Sequence, residues 1–170
     1  RPLIPYGISK LAGEKYVYFY HKTYGIDYTV LRYSNVYGPR QDPFGEAGVV
    51  AIFSQKMLAG EQPVINGTGE QTRDFVFVKD VARANICAVE QNKPGEFNIS
   101  TGTETPVSRL FAVIKTITGS KADEVHGSAV PGEQMRSVLA WDKARAELGW
   151  EPAYSLESGL KETIDYFRVK

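Results

Sequence analysis

Apolar residues recur along this chain with two alternating spacings, one typical of helices and the other of strands. No proline interrupts residues 6–24, so this stretch predicts a helix, and Gly25 is well placed to end it. The β-branched and aromatic run at 28–33 predicts a strand. Prolines and glycines in residues 34–48 then predict a long loop, and loops of this length in compact domains are often functional.

The rest of the pattern alternates short strands with helices. Strands are predicted at 63–65, 75–78 and 96–99, and Val125 is a candidate start for another. Helices are predicted at 47–59, 79–91, 106–118, 141–148 and 155–167, the last with Ser155 as its N-cap. This alternation is typical of an α/β fold.

The composition excludes several classes of function. Lys+Arg and Asp+Glu both number 20 in 170 residues, so the formal net charge is zero and no nucleic-acid partner is expected. No apolar run approaches the roughly 18 residues of a membrane span, and no signal peptide opens the chain. We therefore expect no membrane partner and a cytoplasmic location. Cys87 is the single cysteine, and His21 and His126 are far apart, so no disulfide and no metal site are expected.

Tyr6 and Lys10 are the first candidates for chemistry. Four residues apart on a helix, they share one face. A nearby ammonium favours the phenolate, so such a tyrosine can take a proton from a sugar hydroxyl while a hydride leaves the same carbon. The lysine can also hold the hydroxyls of a cofactor ribose. The spacing alone does not identify the pair, because two other pairs share it, Tyr18/Lys22 and Tyr166/Lys170.

The surrounding block, Pro-Tyr-Gly-Ile-Ser-Lys-Leu-Ala-Gly-Glu at 5–14, resembles the catalytic-helix signature of the extended short-chain dehydrogenase/reductase family. Blocks at 31–39, 67–82 and 131–152 resemble the NAD-dependent epimerases and dehydratases of that family in the same order, most closely the UDP-glucose 4-epimerases. The resemblance implies an α/β fold, the C-terminal part of an extended Rossmann-type epimerase fold. Residues 1–46 would be the tail of the NAD-binding Rossmann domain, and residues 47–170 the smaller α/β nucleotide-sugar-binding domain.

The resemblance also implies roles for individual residues. Tyr6 and Lys10 would be catalytic and would contact the cofactor NAD, with Tyr33 and Ser34 by its nicotinamide end. Asn35 would hydrogen-bond the phosphate region of a UDP-sugar substrate, since an amide donates without adding charge. On local grounds alone, Asn35 is equally well an ordinary turn residue.

Arg73 lies where the family places a diphosphate-binding arginine, and a guanidinium fork matches phosphate oxygens. A salt bridge with Asp74 or another surface carboxylate is the local alternative. Val49, Val64 and Asn66 would line the uracil pocket, the alternative being simple packing or a turn.

Four positions bear on substrate binding and specificity. The family usually has a second diphosphate-binding arginine at the position of Val130 and an aspartate at the position of Ala140. Arg136 is a candidate to replace this second arginine, and the sequence leaves open whether it does so. Ser137 aligns with a residue beside the hexose C2 group, where a bulky side chain would exclude an N-acetyl group. Because serine is small, N-acetylhexosamine substrates are expected to be tolerated.

The implied activity is reversible inversion at sugar C4 through a 4-keto intermediate, which interconverts UDP-glucose and UDP-galactose. Two alternatives stay open: a fragment of a nucleotide-sugar 4,6-dehydratase, and a non-catalytic nucleotide-sugar-binding remnant. The chain opens without an initiator Met, and the glycine-rich phosphate turn of the family, Gly-x-x-Gly-x-x-Gly, is absent from it. A fragment that is inactive by itself is therefore expected, with NAD bound only in the complete enzyme. An inner strand left with an open edge also predicts self-association into a homo-oligomer.

Overall fold

Residues 5–44 and 48–169 are described by the computed structural model, and helices alternate with short strands within them. The helices are α1 (Pro5–Tyr24), α2 (Val49–Leu58), α3 (Val78–Gln91), α4 (Val107–Thr118), α5 (Asp142–Leu148) and α6 (Leu156–Arg168). The strands are β1 (Thr29–Tyr33), β2 (Asn35–Tyr37), β3 (Val64–Asn66), β4 (Thr72–Arg73), β5 (Phe75–Phe77), β6 (Gly95–Ile99), β7 (Thr105–Pro106) and β8 (Val125–Gly127). The predicted domain boundary between residues 46 and 47, and the predicted helix start at Ala47, lie outside the described residues.

The predicted helices are confirmed, and their ends carry local signals. Gly25 ends α1 with a φ of 69°, and its N–H donates to the His21 carbonyl oxygen at 2.9 Å. Glycine adopts this left-handed conformation without steric cost. At the start of α6, the Ser155 hydroxyl accepts a hydrogen bond from the N–H of Ser158 at 3.1 Å, as an N-cap residue does.

The prediction of an unbroken loop at 34–48 is wrong, because this segment contains β2. That strand pairs in parallel with β5, with Val36 opposite Val76. A three-residue strand is too short to show a period of two, so the hydrogen bonds supplied by β5 define it. The two-residue strands β4 and β7, which form an antiparallel ladder, also lack any sequence signal.

Four two-stranded ladders order the described strands: β1–β6, β2–β5 and β3–β8 are parallel, and β4–β7 is antiparallel. In the first ladder Tyr33 is opposite Ile99, so both strands end at the same level. The next residue, Ser34, donates its N–H to the Ile99 carbonyl oxygen at 3.0 Å. The polar segments that follow β1 and β6 therefore lie side by side.

Strand β5 divides the interior into two hydrophobic cores. Phe75 and Phe77 point into the larger core with α2, α4 and α6, whereas Val76 points into a smaller core with α3 and α5. This alternation follows from the period of two along a strand. Gly159 of α6 sits against Tyr37 and Phe77 so closely that a Cβ there would overlap both side chains. Strand β5 is thus buried on both faces.

Helix α1 differs from the other helices because none of its residues is buried. Its exposed side chains include a dense aromatic group at Tyr16, Tyr18, Phe19, Tyr20 and Tyr24. Strand β1 pairs with β6 along one edge only within the described residues, and its side chains are half-buried or exposed. At 20 residues α1 is long, yet neither it nor any other described helix is apolar enough to cross a membrane.

The aromatic surface of α1 and the open edge of β1 predict that this chain self-associates. Replacing Phe19 and Tyr20 together with lysine should shift the chain toward monomer in sedimentation velocity, because burying a charge in the contact is unfavourable. Phe44→Lys is the matched control, since Phe44 is a 77% exposed aromatic outside α1, and it should leave the profile unchanged. A monomeric profile of the unmodified chain at high concentration would contradict the expectation.

Candidate functional site

Tyr6 and Lys10 lie one turn apart near the start of α1. The Nζ of Lys10 is 5.1 Å from the centroid of the Tyr6 ring, so the ammonium and the phenol lie together as their spacing predicts. Tyr6 is 65% exposed, which leaves its hydroxyl open to a ligand. Lys22 lies 5.6 Å from the Tyr18 ring in the same way. The first pair is therefore distinguished by its surroundings and not by its own geometry.

An ion pair between α1 and β1 sets those surroundings. Glu14, one turn beyond Lys10 on the same face, accepts two hydrogen bonds from Arg32, Nε to Oε1 at 2.7 Å and Nη2 to Oε2 at 2.5 Å. The Glu14 side chain is only 17% exposed. The hydrogen bond from Arg32 lowers the pKa of Glu14, and the same contact raises the pKa of Arg32. Because α1 has no buried residue, this pair fixes the helix against the sheet.

Tyr33, the last residue of β1, faces away from α1. Neighbouring side chains in a strand point to opposite faces, and Arg32 is the one that faces α1. The Tyr33 hydroxyl donates to Oδ1 of Asn85 in α3 at 3.1 Å. The structure therefore does not bring the Tyr33 side chain together with Tyr6 and Lys10, and a contact with their ligand would use the Tyr33 backbone.

Ser34 and Asn35 carry the chain from β1 into β2. The hydroxyl of Ser34 donates to Oδ1 of Asp74 at 3.3 Å, and the N–H of Asn35 donates to the Asp74 carbonyl oxygen at 2.8 Å. The Asn35 side chain is exposed, and within the part of the chain that the structure describes its amide has no hydrogen-bond partner. Its backbone is thus fixed while its amide is available to a ligand.

Arg73 in β4 points toward the segment after β8. Its Nη1 donates to the carbonyl oxygens of Thr72 at 2.8 Å and Gln134 at 2.7 Å, and its Nη2 donates to Oε1 of Glu133 at 2.9 Å. The local alternative for Arg73 is thus found in one of its two forms: the salt bridge is made with another carboxylate, Glu133, and not with Asp74. The Nε–H and one Nη2–H are left over from the five donors of a guanidinium. Arg73 can therefore bind an anion without releasing Glu133.

Arg136 is held on the other side of β4. Thr72 and Arg73 are adjacent in the strand, so their side chains point to opposite faces. The Thr72 hydroxyl donates to Glu104 at 2.9 Å, and the Nε of Arg136 lies 2.8 Å from both oxygens of the same carboxylate. The hydrogen bonds of this pair lower the pKa of Glu104 and raise that of Arg136. Arg136 thus does not supply, beside Arg73, the guanidinium that is missing at Val130.

Val64 and Asn66 are exposed on one face of β3, and Ile65 between them is buried. On the paired strand β8, Gly127 lies opposite Asn66, and a Cβ there would come within 3.0 Å of Cγ1 of Val64. Gly127 therefore places no side chain against Val64. Val49, by contrast, is half-buried at the start of α2 and packs against the larger core.

Ser137 lies half-buried in the segment that also carries Glu133, the ion-pair partner of Arg73. Two residues further on, the N–H of Leu139 donates to Oδ2 of Asp74 at 3.4 Å. The segment is therefore anchored on both sides of Ser137. The Ser137 hydroxyl has no protein partner among the described residues.

These contacts form a continuous connection from α1 to β4. Lys10 shares a face with Glu14, which pairs with Arg32 in β1, and the residue after β1, Ser34, hydrogen-bonds to Asp74 beside β4. A phenol and an ammonium lie at one end of this connection and a guanidinium lies at the other. The first can move a proton, and the second can hold an anion. In residues 5–44 and 48–169, no three His, Cys, Asp or Glu side chains are arranged to hold a metal ion.

Sequence reasoning missed Glu14, Arg32 and Asp74 as parts of this site, although two of them leave a signal. Glu14 continues the face of Tyr6 and Lys10 at the next turn of the helix. Asp74 places a charge directly before the apolar run of β5, where a carboxylate is expected only if it is hydrogen-bonded. Arg32 in a strand carries no such mark.

Residues 1–100 match the family model described as "NAD dependent epimerase/dehydratase family". A putative UDP-glucose 4-epimerase from Methanocaldococcus jannaschii is 48% identical over 167 residues, which cover 98% of this chain and 54% of that protein. The chain thus spans about half the length of the curated relatives it matches.

Two solved structures share the fold of the chain. The UDP-glucose 4-epimerase of Thermotoga maritima, solved with UDP-glucose, is 52% identical with a TM-score of 0.97, covering 99% of this chain and 55% of that one. The UDP-glucose 4-epimerase of Thermus thermophilus, solved with NAD, is 38% identical with a TM-score of 0.92, again covering 99% and 55%. The predicted fold, the C-terminal part of an extended Rossmann-type epimerase fold, is confirmed.

The Glu14–Arg32 pair predicts a pH dependence of the position of α1. Because the pKa of Glu14 is lowered in the folded chain, the pair stabilises the chain above the ordinary carboxyl pKa of about 4.3, and this contribution is lost as the pH falls through the lowered value. For a pair this exposed the contribution is about 1 kcal/mol or less. In NMR spectra the Tyr6 and Lys10 amide resonances should shift together over that acidic range.

In Glu14→Gln the Tyr6 and Lys10 amide resonances should have their low-pH chemical shifts already at neutral pH. These shifts should then not change over the acidic range. The control is Glu157→Gln, which removes the exposed ion pair of Glu157 with Arg109 and should leave α1 unaffected. A Glu14→Gln variant that keeps the titration of the unmodified chain would contradict this account.

Proposed function

The chain belongs to the NAD-dependent epimerase/dehydratase family, and we propose that it is the nucleotide-sugar-binding part, with the Tyr–Lys helix, of a UDP-hexose 4-epimerase. One observation carries the proposal. The ion pair between Glu14 and Arg32 joins the helix of Tyr6 and Lys10 to β1, and Ser34, directly after β1, hydrogen-bonds to Asp74, the neighbour of Arg73 in the chain. A proton-transfer group and an anion-binding group are thereby held in one framework. The likeness to a 4-epimerase solved with UDP-glucose supports the substrate class.

In this mechanism the Tyr6 side chain, in its phenolate form, would take the proton from the sugar C4 hydroxyl and later return it. NAD, the cofactor of the family, would supply hydride acceptance and return at the same carbon. The Nζ of Lys10 lies 5.1 Å from the centroid of the Tyr6 ring, and this ammonium can donate to ribose hydroxyls. Inversion requires the oxidised sugar to turn so that hydride would return to the opposite face of C4, with the C4 oxygen again next to Tyr6.

The residues of this chain fit such a cofactor. Tyr6 and Lys10 are both exposed, so their polar ends are open, and a phenol, an ammonium and the Ser34 hydroxyl are donors suited to ribose and amide groups. Tyr33 fits only through its backbone, because its side chain is hydrogen-bonded to α3. The sequence contains no glycine-rich phosphate turn, so the diphosphate of NAD has no such binding site in these residues.

Substrate binding is assigned to the other end of the framework. The remaining donors of Arg73 would hold the diphosphate of a UDP-sugar, and the free amide of Asn35 would add a neutral donor. The strip formed by Val64, Asn66 and Gly127 would accept the planar uracil. Val49 is proposed in the same pocket, although its packing against the larger core is a sufficient reason for an apolar residue there.

Ser137 is proposed as the residue beside the hexose C2 group. It is small and has no protein hydrogen-bond partner among the residues described, so it leaves room for an N-acetyl group. UDP-glucose, UDP-galactose and their N-acetyl forms are therefore the proposed substrates. A 4,6-dehydratase is the second candidate, since the family includes both reactions. The absence of the phosphate turn favours a binding function without catalysis for these 170 residues alone.

Arg73→Ala should weaken binding of UDP to the chain by about 10- to 100-fold, because hydrogen bonds to charged groups contribute roughly 1.5–3 kcal/mol each. Isothermal titration calorimetry with UDP measures this directly. Arg136→Ala is the matched control: it also removes one arginine of a carboxylate pair, but on the opposite face of β4, and should leave the affinity unchanged. Equal losses in the two variants would make Arg136 a second diphosphate ligand and overturn the face assignment.

In the complete protein, Tyr6→Phe should lower kcat for conversion of UDP-galactose to UDP-glucose by at least about 100-fold with little change in KM, because it removes the proton carrier and not a binding group. Tyr18→Phe, in the second pair with the same geometry, is the control and should keep full activity. Full activity in Tyr6→Phe would refute the mechanism.

The 170-residue chain alone should show no NAD absorbance after purification and no turnover. Conversion by this chain alone would contradict that expectation.

A further inference from the structure

Asp74 is a fully buried carboxylate whose partners are all neutral. Oδ1 accepts from the Thr101 N–H and hydroxyl, both at 2.8 Å, and from the Ser34 hydroxyl at 3.3 Å. Oδ2 accepts from the N–H of Gly102 at 3.0 Å and of Leu139 at 3.4 Å. In the part of the chain that the structure describes, no Lys or Arg forms an ion pair with it. The hydrogen bonds alone compensate for its burial.

The arrangement requires two acceptor oxygens. An asparagine in place of Asp74 would turn an N–H₂ group toward one of the two sets of donors. If that group replaced Oδ2, the N–H groups of Gly102 and Leu139 would both lose their acceptor. If it replaced Oδ1, the hydroxyls of Ser34 and Thr101 could rotate, but the N–H of Thr101 could not. Either orientation leaves a buried donor unpaired.

The partners of Asp74 belong to the three segments that surround the proposed ligand. Ser34 adjoins Asn35, whose backbone N–H is also held by the Asp74 carbonyl oxygen. The segment of Thr101 and Gly102 leads into β7, which pairs with β4 at Arg73. Leu139 ends the segment that carries Ser137 and Glu133, the ion-pair partner of Arg73. One carboxylate thus joins the substrate-facing residues from separate parts of the chain.

We infer that Asp74 is a positioning residue for nucleotide-sugar recognition: it sets Asn35, Arg73 and Ser137 relative to one another without touching the ligand. The inference rests on the proposed function for the identity of the ligand, UDP. The position of the three side chains in the unliganded chain does not depend on that function. The two can therefore be tested separately.

Asp80 provides a matched control. It is also buried, at 1% exposure, and its carboxylate also accepts backbone hydrogen bonds, from the N–H groups of Ala153 and Tyr154 at 3.1 Å. It differs in pairing with Arg83 and in contacting none of the proposed site residues. Asp80→Asn therefore removes a comparable buried charge elsewhere in the molecule.

The experiment compares UDP affinity by calorimetry in the unmodified chain, Asp74→Asn and Asp80→Asn, with chemical unfolding to correct for the folded fraction. Both variants should be less stable. Asp74→Asn should bind UDP at least about tenfold more weakly, and Asp80→Asn should bind within about twofold of the unmodified chain. Equal affinity losses in the two variants would reduce Asp74 to a structural residue and overturn the inference.

NMR of the unliganded chain separates this inference from the proposed function. The Asn35 side-chain amide and the Arg73 Nε–H should both shift in Asp74→Asn and neither should shift in Asp80→Asn. If the unmodified chain does not bind UDP, the proposed function fails while these two signals still decide the role of Asp74. Unchanged signals in Asp74→Asn would overturn the inference.

A milder variant covers the case in which Asp74→Asn does not fold. Thr101→Val removes a single donor to Asp74, the Thr101 hydroxyl, and should shift the same two signals in the same direction by less. Thr116→Val is its control, since the Thr116 hydroxyl donates to the Ala112 carbonyl oxygen within α4. If the Asn35 amide and Arg73 Nε–H signals shift no more in Thr101→Val than in Thr116→Val, the inference about Asp74 is overturned.

Discussion

A carboxylate can be buried in a protein only if other groups replace the hydrogen bonds that water made to it. At Asp74 five neutral donors from three separate segments do this, and they are the segments that carry the candidate binding residues. The geometry of the site is therefore tied to the cost of burying one charge. Three of the five donors are backbone N–H groups, whose directions the chain fixes. Because the adjacent Arg73 pairs with Glu133 and not with Asp74, its Nε–H and one Nη2–H stay available to an anion.

The two ends of the site are stabilised by different physical effects. Around Arg73, the buried ladder of β2 and β5 separates two cores, so close packing fixes the backbone. Around Tyr6, helix α1 has no buried residue, and its position depends on the partly exposed ion pair of Glu14 with Arg32. Such pairs contribute about 1 kcal/mol or less, so the Tyr6 end of the site is more sensitive to pH and salt than the Arg73 end.

The alternation of side chains along β4 also separates the ion pair of Arg136 from that of Arg73. Arg136 has the charge to replace the residue missing at Val130, but the alternation of side chains along β4 places its partner, Glu104, on the face opposite Arg73. Charge alone therefore does not define a phosphate site. The direction of each guanidinium does, and here the strand decides that direction.

The sequence by itself determined the helices, the longer strands and the family, because periodic spacing, end signals such as Gly25 and Ser155, and the Tyr6–Lys10 block are local features. It also indicated Arg73 and Asn35 as candidates, by resemblance. Only the tertiary structure decided which side chains face one another. Contacts between residues far apart in the chain define strand β2 and the direction of the Tyr33 side chain. Such contacts also place the partner of Arg136 on the face of β4 opposite Arg73, and they supply the five hydrogen bonds that the Asp74 carboxylate accepts. A local pattern carries no information about such partners, because burial and pairing are properties of the surrounding fold.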